Sequence, residues 1–282
     1  MLKTLAIALS LSYLSAQSSA EVKSWSEPAE PLHIAGPIYY VGTHGLGVYL
    51  ITSPAGHILL DGAMPRSAPL IEASIRKLGF KPEDIKFLLI SQAHIDHVGT
   101  LADFKNLTHA TIAAMAPDVG LLQSGGKTDY VFAKNADMHF KPVAVDRILK
   151  DGDTIDLGGV RLTARLTPGH TRGCTTWTTT IQEGGRSYQV VFPGSTSVNP
   201  GTRLVKNPSY PGIAADYRHS LEVLASLKPD IFLAAHPGFF DFDAKRARAP
   251  KEGVQAFVDP EGYRRRIESQ KAAFEALIAK EK

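Results

Sequence analysis

An apolar run that leads directly into a group of histidine and aspartate side chains most constrains what this chain can fold into. Residues 85–90 include four consecutive apolar residues, which is typical of a strand that is buried on both faces. His94, Asp96 and His97 follow within the next seven residues. Functional side chains gather on loops that a rigid scaffold positions. The sequence therefore predicts a buried strand with a functional site at its end.

The rest of the chain repeats one pattern, in which short strands precede a helix and a further strand. Gly, Pro and Ser separate the strands, as hairpins require, and apolar residues at helical spacing mark the helices. Predicted strands cover 32–34, 38–41, 48–52, 57–61, 148–149, 154–157, 160–166, 175–181, 188–192 and 231–235. Predicted helices cover 67–78, 116–122, 213–227 and 259–280. The repetition predicts an α/β fold of two packed sheets with helices outside, in one domain over 21–282.

Charge and cysteine content exclude several classes of protein. Lys and Arg number 31 against 28 Asp and Glu, with no block of like charges, so we expect no nucleic-acid partner. Cys174 is the one cysteine of the sequence, which rules out an intrachain disulfide. A chain of 282 residues can bury a large core without cross-links.

The first twenty residues are typical of a signal peptide. Lys3 supplies a positive charge, residues 5–14 form a short apolar core, and Ser18, Ser19 and Ala20 supply small side chains at a cleavage site. The apolar core is shorter than the roughly 20 residues of a membrane-spanning helix. A buried core helix is the alternative interpretation. We expect cleavage after Ala20 and export to the periplasm of a monomer that binds no membrane.

Further histidines lie at the ends of other predicted strands. His170 and His236 each stand beside Pro or Gly residues that turn the chain. Imidazole and carboxylate are natural Zn²⁺ ligands, and a set of them without cysteine is typical of a catalytic site. Asp61 also ends a strand, where a carboxylate can orient a ligand histidine. The alternatives are surface histidines, a turn aspartate and a zinc-binding protein without catalysis.

These motifs together resemble the metallo-β-lactamase superfamily, and the likeness covers nearly the whole mature chain. It rests on H-x-D-H at 94–97, P-G-H-T at 168–171 and H-P-G at 236–238. Other segments resemble the third subclass of class B β-lactamases; they are 60–65, 169–177, 207–211, 216–218 and 236–238.

The resemblance implies an αββα sandwich of two mixed sheets that holds one or two zinc ions. His94 and His170 match ligands of the first site. The matching ligands of the second site are Asp96, His97 and His236. Gln92 stands where the family's H-x-H-x-D-H motif has its first histidine, as in some members of the subclass. An amide oxygen is a weaker zinc ligand than imidazole, so the first site is expected to bind zinc less tightly.

The activity that the resemblance implies is hydrolysis of the β-lactam ring of penicillins, cephalosporins and carbapenems by a zinc-activated water, which gives antibiotic resistance. Asp96 would hold the second zinc and orient the water. Ser195 and Ser197 match positions that contact the substrate carboxylate, although both can also be ordinary turn serines. Ser195 replaces a bridging Asp of many relatives, which disfavours thioesterase-like and nuclease-like activity. A lactonase or a phosphoesterase remains the alternative.

The predicted loop at 123–139 has two interpretations. With Lys127, Tyr130 and Phe132 it can cover the site as a flap, or it can be an exposed connection.

Overall fold

The computed structural model describes the backbone of residues 19–281 and the side chains of residues 22–281. The strands are β1 (Leu32–Ala35), β2 (Ile38–Tyr40), β3 (Tyr49–Ser53), β4 (Gly56–Leu60), β5 (Ile85–Leu89), β6 (Thr111–Met115), β7 (Arg147–Leu149), β8 (Thr154–Leu157), β9 (Val160–Leu166), β10 (Thr175–Glu183), β11 (Arg186–Phe192) and β12 (Ile231–Phe232). The helices are α1 (Ser19–Ser24), α2 (Ala68–Lys77), α3 (Ile95–Val98), α4 (Leu101–Thr108), α5 (Val119–Ser124), α6 (Ile213–Ser226), α7 (Phe242–Glu252) and α8 (Pro260–Glu281).

The strands form two mixed sheets. In the first, β1 to β7 lie side by side in chain order; β1 to β4 are antiparallel neighbours, and β4 to β7 are parallel. In the second, the order is β12-β11-β10-β9-β8, and only the β11–β12 pair is parallel. The predicted sandwich of two mixed sheets with helices is confirmed.

The main core lies between the sheets. Successive side chains of a strand point to opposite faces, so Leu89 of β5 joins the inner core while Leu88 packs outward against the helices. Trp177 of β10 crosses the inner layer, and its Nε1 donates a hydrogen bond to the carbonyl of Ile90 at 2.9 Å. This bond ties the second sheet to the end of β5, where the predicted site begins.

The chain leaves both sheets at one edge of the sandwich. Asp61 follows β4 and His94 follows β5, which is parallel to β4. In the second sheet β9, β11 and β12 run in the same direction, and they lead to His170, Ser195 and His236 in that order. The sandwich thus gathers side chains that are far apart in the sequence.

Some predicted elements differ from the structure. The sequence patterns did not predict α4, β6 or α7, and the helix predicted at 116–122 is a short 3-10 turn followed by α5. The strand predicted at 231–235 ends at Phe232, because the chain then turns toward His236. The predicted cleavage point after Ala20 lies in α1, and residues 1–18 of the predicted signal peptide lie outside the described residues. Within 19–281, no helix is both long and apolar enough to span a membrane.

Candidate metal centre

Asp96, His97 and His236 form a compact group of ligand atoms. The single turn of α3 directly after the β5 segment presents Asp96 and His97 together, and the turn after β12 brings His236 to them. Oδ2 of Asp96 lies 3.2 Å from Nε2 of His97 and 3.4 Å from Nε2 of His236. All three ligand atoms lie within 4.8 Å of one another. Two ligands of one tetrahedral zinc lie roughly 3.3 Å apart when each bond is about 2.0–2.1 Å, so these distances fit a metal ion.

Two groups orient the ring of His97 at its Nδ1 atom, on the side away from Asp96. Its Nδ1 lies 3.3 Å from Oγ of Ser91 and 3.4 Å from Oδ2 of Asp61. Its Nε2 is buried and lacks an aligned hydrogen-bond partner among the described residues. Native proteins rarely leave such an atom unpaired. An unpaired ring nitrogen beside a carboxylate, with the opposite nitrogen held by a carboxylate, is the arrangement of a metal-ligating histidine.

Asp61 takes up an uncommon backbone conformation to reach His97. Its φ of 64° lies in the left-handed region, which Asp tolerates better than most residues. Its backbone N–H donates to the carbonyl of Leu89 at 2.9 Å, which joins the ends of β4 and β5. The position of this carboxylate is therefore set by the backbone of two parallel strands, as the sequence interpretation of Asp61 requires.

A second pair of ring nitrogens lies beside the first group. Nδ1 of His94 is 3.1 Å from Nε2 of His170. The Nδ1–H of His170 donates to the carbonyl of Ser197 at 2.7 Å, which leaves Nε2 free as a ligand atom. Gly169 has a φ of +135°, and a Cβ there would lie 2.8 Å from the ring of Tyr217. Only glycine allows this turn, and it is this turn that aims His170 at His94.

Gln92, two residues before His94, is also buried. It is 2% exposed, and its Oε1 lies 4.0 Å from Sγ of Cys174, which is a long contact. Among the described hydrogen bonds, none joins the Gln92 amide to His94 or His170. The structure thus brings the two histidines together, and the described contact of the Gln92 amide is with Cys174.

The charges of the site suit ligand chemistry. Burial alone would raise the pKa of Asp96, but the charge of His97 and a hydrogen bond from His236 hold that pKa well below its usual value. Burial would lower the pKa of His97, yet Asp96 and Asp61 raise it to about 10. Burial and the neighbouring His94 lower the pKa of His170 to about 3. Asp96 is therefore ionised and His170 neutral, the forms in which these side chains can bind a metal, while a metal ion would have to displace the proton of His97.

Ser195 and Ser197 follow β11 beside these groups. Their hydroxyl oxygens are 3.0 Å apart, and Oγ of Ser197 lies 3.4 Å from Nδ1 of His170. Ser195 lines a cavity of about 20 Å³ together with His97 and His236. A cavity of this size holds about one water molecule. Both serines thus border the candidate metal centre.

Sequence reasoning missed two buried carboxylates at the site. Asp118 accepts hydrogen bonds from the backbone N–H of Ala93 (3.2 Å), from the hydroxyl of Thr171 (2.7 Å) and from the backbone N–H of Gly173 (2.7 Å). It thereby joins the loops that carry His94 and His170. Asp129 lies beside Nε2 of His94, the ring nitrogen that does not face His170. No local pattern marks the part that either residue plays at the site, because the loop residues that Asp118 joins and the histidine that Asp129 faces are distant in the sequence.

The loop at 123–139 packs against the site. Tyr130 donates its hydroxyl hydrogen to the carbonyl of Gly169 at 2.9 Å, and the ring of Phe132 meets that of His94 edge-on at 5.3 Å. Of the two interpretations of this loop, the structure favours a cover over an exposed connection.

This chain belongs to the metallo-β-lactamase superfamily. The superfamily model matches residues 48–236, about two thirds of the chain, from just before β3 to His236. The protein is therefore a member of a superfamily of metal-dependent hydrolases, and its candidate ligand group Asp96, His97 and His236 lies in the matched region.

Solved structures carry the comparison further. The chain is 46% identical to the FEZ-1 metallo-β-lactamase from Legionella gormanii. The match covers 91% of this chain and 98% of that one, and the two structures superpose with a TM-score of 0.89. It is 40% identical to BJP-1, a subclass B3 metallo-β-lactamase of Bradyrhizobium japonicum, over 92% of this chain and 97% of that one, with a TM-score of 0.86. These values make the protein similar to subclass B3 enzymes along nearly its whole described length.

One curated relative has an activity other than that of FEZ-1 and BJP-1. The N-acyl homoserine lactonase AttM of Agrobacterium fabrum is 34% identical over 83 residues, which are 22% of this chain. The match spans about a third of the length of that lactonase.

Proposed function

We propose that this protein is a zinc-dependent hydrolase that opens the β-lactam ring of penicillins, cephalosporins and carbapenems and so gives antibiotic resistance. The observation that carries the proposal is the group formed by Asp96, His97 and His236, whose ligand atoms converge within 4.8 Å. Support also comes from the similarity of nearly the whole chain to FEZ-1 and BJP-1.

Two groups of residues would hold the metal. Asp96, His97 and His236 would hold one zinc, and His94 and His170 would hold a second one, with Gln92 as a weak neighbour. When bound, zinc supplies Lewis acidity, which lowers the pKa of water from about 15.7 to about 7 and polarises a carbonyl. Asp61 keeps the His97 ring in place by facing its Nδ1.

The protein's own groups supply orientation and charge. In hydrolysis the oxygen of water bonds to the lactam carbonyl carbon, the C–N bond breaks and the nitrogen takes up a proton. Asp96 is the ionised group nearest to both histidines of its cluster, and we assign it the orientation of the attacking water. Ser195 and Ser197 would hold the substrate carboxylate through their hydroxyl groups, which keeps the lactam carbonyl at the metal centre.

The second candidate is a lactonase, since the chain shares a segment with AttM. A phosphoesterase is a further alternative on the same scaffold, because a fold does not determine an activity. Purified protein with added zinc should be assayed with a chromogenic cephalosporin, an acyl homoserine lactone and a phosphodiester. We expect the cephalosporin to be turned over with the highest kcat/KM. Preferred turnover of the lactone or the phosphodiester would contradict the proposal.

We also propose that residues 1–20 direct export to the periplasm and are removed there. Sequencing the amino terminus of protein purified from the periplasm should identify Glu21 as the first residue. Protein that retains Met1 would contradict this assignment.

A further inference from the structure

Asp129 is a buried carboxylate that belongs to neither group of proposed metal ligands. It is 6% exposed, and its Oδ2 lies 3.1 Å from Nε2 of His94. Its other oxygen, Oδ1, accepts the backbone N–H groups of Val131 at 2.6 Å and Phe132 at 2.7 Å. One oxygen of this carboxylate therefore accepts hydrogen bonds from the loop backbone, and the other faces the histidine ring.

We propose that Asp129 is a positioning residue that fixes the proton and the ring orientation of His94, so that Nδ1 is ready for a metal ion. The inference rests on the proposed metal centre. A carboxylate accepts hydrogen bonds and donates none, so Nε2 of His94 is the donor to Oδ2 of Asp129 and carries the ring hydrogen. The lone pair of Nδ1 then faces Nε2 of His170 at 3.1 Å.

The partner ring is held in the matching form. The Nδ1–H of His170 donates to the carbonyl of Ser197, so its Nε2 also offers a lone pair. Two lone pairs at 3.1 Å repel each other unless a proton or a cation lies between them. Asp129 and Ser197 thus hold a pair of nitrogens that a metal ion would stabilise, at a separation near the roughly 3.3 Å expected for two ligands of one tetrahedral zinc.

The same carboxylate connects the metal centre to the covering loop. Neighbours of Asp129 contact both histidine segments: the Tyr130 hydroxyl donates to the backbone carbonyls of Gly169 and His170, and Phe132 contacts the ring of His94. The order of the loop and the readiness of His94 are therefore set by one side chain.

Asp129→Asn separates this role from a merely structural one. Asparagine can keep its oxygen at the Oδ1 position for both backbone donors, which places its NH₂ group against Nε2 of His94. Nε2 must then accept, and the ring hydrogen moves to Nδ1, the nitrogen that faces the metal. The variant would keep the hydrogen bonds that order the loop, so a purely structural role would be preserved. It would move the ring hydrogen of His94 to the wrong nitrogen, so the positioning role would be lost.

Two measurements test the inference. Zinc titration by calorimetry should find the His94/His170 site weakened by about 10–100-fold, the usual range for a group that orients a ligand, and the Asp96/His97/His236 site nearly unchanged. Nitrogen NMR of the His94 ring should find Nε2–H in wild type and Nδ1–H in the variant. Asp137→Asn, an exposed position in the same loop, is the matched control and should match wild type in both.

Wild-type zinc affinity in Asp129→Asn would overturn the inference. So would an Nδ1–H tautomer of His94 in the zinc-free wild type, a result that does not depend on how the variant folds. Neither measurement uses a β-lactam. A wild-type protein that binds zinc but hydrolyses no β-lactam would therefore contradict the proposed function and leave the positioning role to be decided by these two results.

Discussion

Asp61 and Ser91 are joined by two hydrogen bonds: the backbone N–H of Ser91 donates to Oδ1 at 2.7 Å, and its hydroxyl donates to Oδ2 at 2.8 Å. The same Oδ2 faces Nδ1 of His97 at 3.4 Å. The carboxylate therefore connects the ends of β4 and β5 and orients one histidine of the candidate metal centre. Its influence on the metal passes through His97, because Asp61 itself lies behind the ring.

Asp61→Asn should weaken zinc binding at the Asp96/His97/His236 site by about 10–100-fold, because the amide no longer supplies a negative acceptor to His97. Calorimetric zinc titration measures this change. Asp84→Asn, an exposed position before β5, is the control and should bind zinc as wild type does. Equal affinity in Asp61→Asn and wild type would show that Asp61 does not orient the ligand.

Ser197→Ala should raise KM for β-lactams and change kcat much less. A hydrogen bond to a charged group contributes about 1.5–3 kcal/mol, so the expected rise is about 10- to 150-fold. Steady-state kinetics of Ser195→Ala, Ser197→Ala and the double variant measure it, with the exposed Ser269→Ala as control. A wild-type KM in the double variant would remove both serines from the substrate site.

Gln92→His should strengthen the weaker zinc site. The structure holds His94 and His170 together, and Gln92 is buried two residues before His94. An imidazole at position 92 would restore the third histidine of the family motif, a stronger zinc ligand than an amide. Zinc titration should find unequal sites in wild type and a tighter weak site in the variant. Gln123→His adds a histidine at an exposed position and should change neither site. Two equally tight sites in wild type would contradict this prediction.

Stability should fall in acid through Asp259, which caps α8. Its Oδ1 accepts the N–H of Gly262 at 2.8 Å, and its Oδ2 lies 2.9 Å from Nζ of Lys245, whose side chain is 3% exposed. Burial would raise the pKa of Asp259, but the hydrogen bond from Lys245 and the N–H of Gly262 lower it. Because the folded pKa lies below the unfolded value of about 3.9, this stabilisation is complete above pH 4–5 and is lost as pH falls through the folded pKa.

Asp259→Asn should keep the cap and leave the buried Lys245 without its counter-charge. Breaking a fully buried pair costs 3–5 kcal/mol, and we expect about 2 kcal/mol at pH 7 since Asp259 is partly exposed. Urea unfolding of wild type and variant at pH 7 and near pH 3 measures the difference, which should shrink in acid. A difference that is the same at both pH values would contradict the charge-based account.

The sequence predicted most of the fold because most strands are short apolar runs between turn residues. It missed β6, whose Ala113 and Ala114 show neither alternation nor high strand propensity. It also missed α7, in which Phe242 and Lys245 are the two buried residues. Pairing with β5 and packing onto the core determine these elements, and neither is visible in a local pattern.

The candidate ligands could be predicted because they cluster in motifs at strand ends. The groups that orient them were harder to predict. Asp61 was visible since it ends a strand, whereas Asp118 and Asp129 act on loops distant in sequence. Their roles follow from tertiary packing, which a single sequence does not display.

The central claim is that a metal ion at Asp96, His97 and His236 drives β-lactam hydrolysis. The most direct test follows cephalosporin hydrolysis by wild type before chelation, after chelation and after zinc is restored, beside His236→Ala and the exposed control His219→Ala. We predict that chelation abolishes turnover, that zinc restores it, and that His236→Ala loses far more than the 10–100-fold typical of orienting residues, while His219→Ala keeps wild-type turnover. Hydrolysis that persists after complete chelation or in His236→Ala would contradict the account.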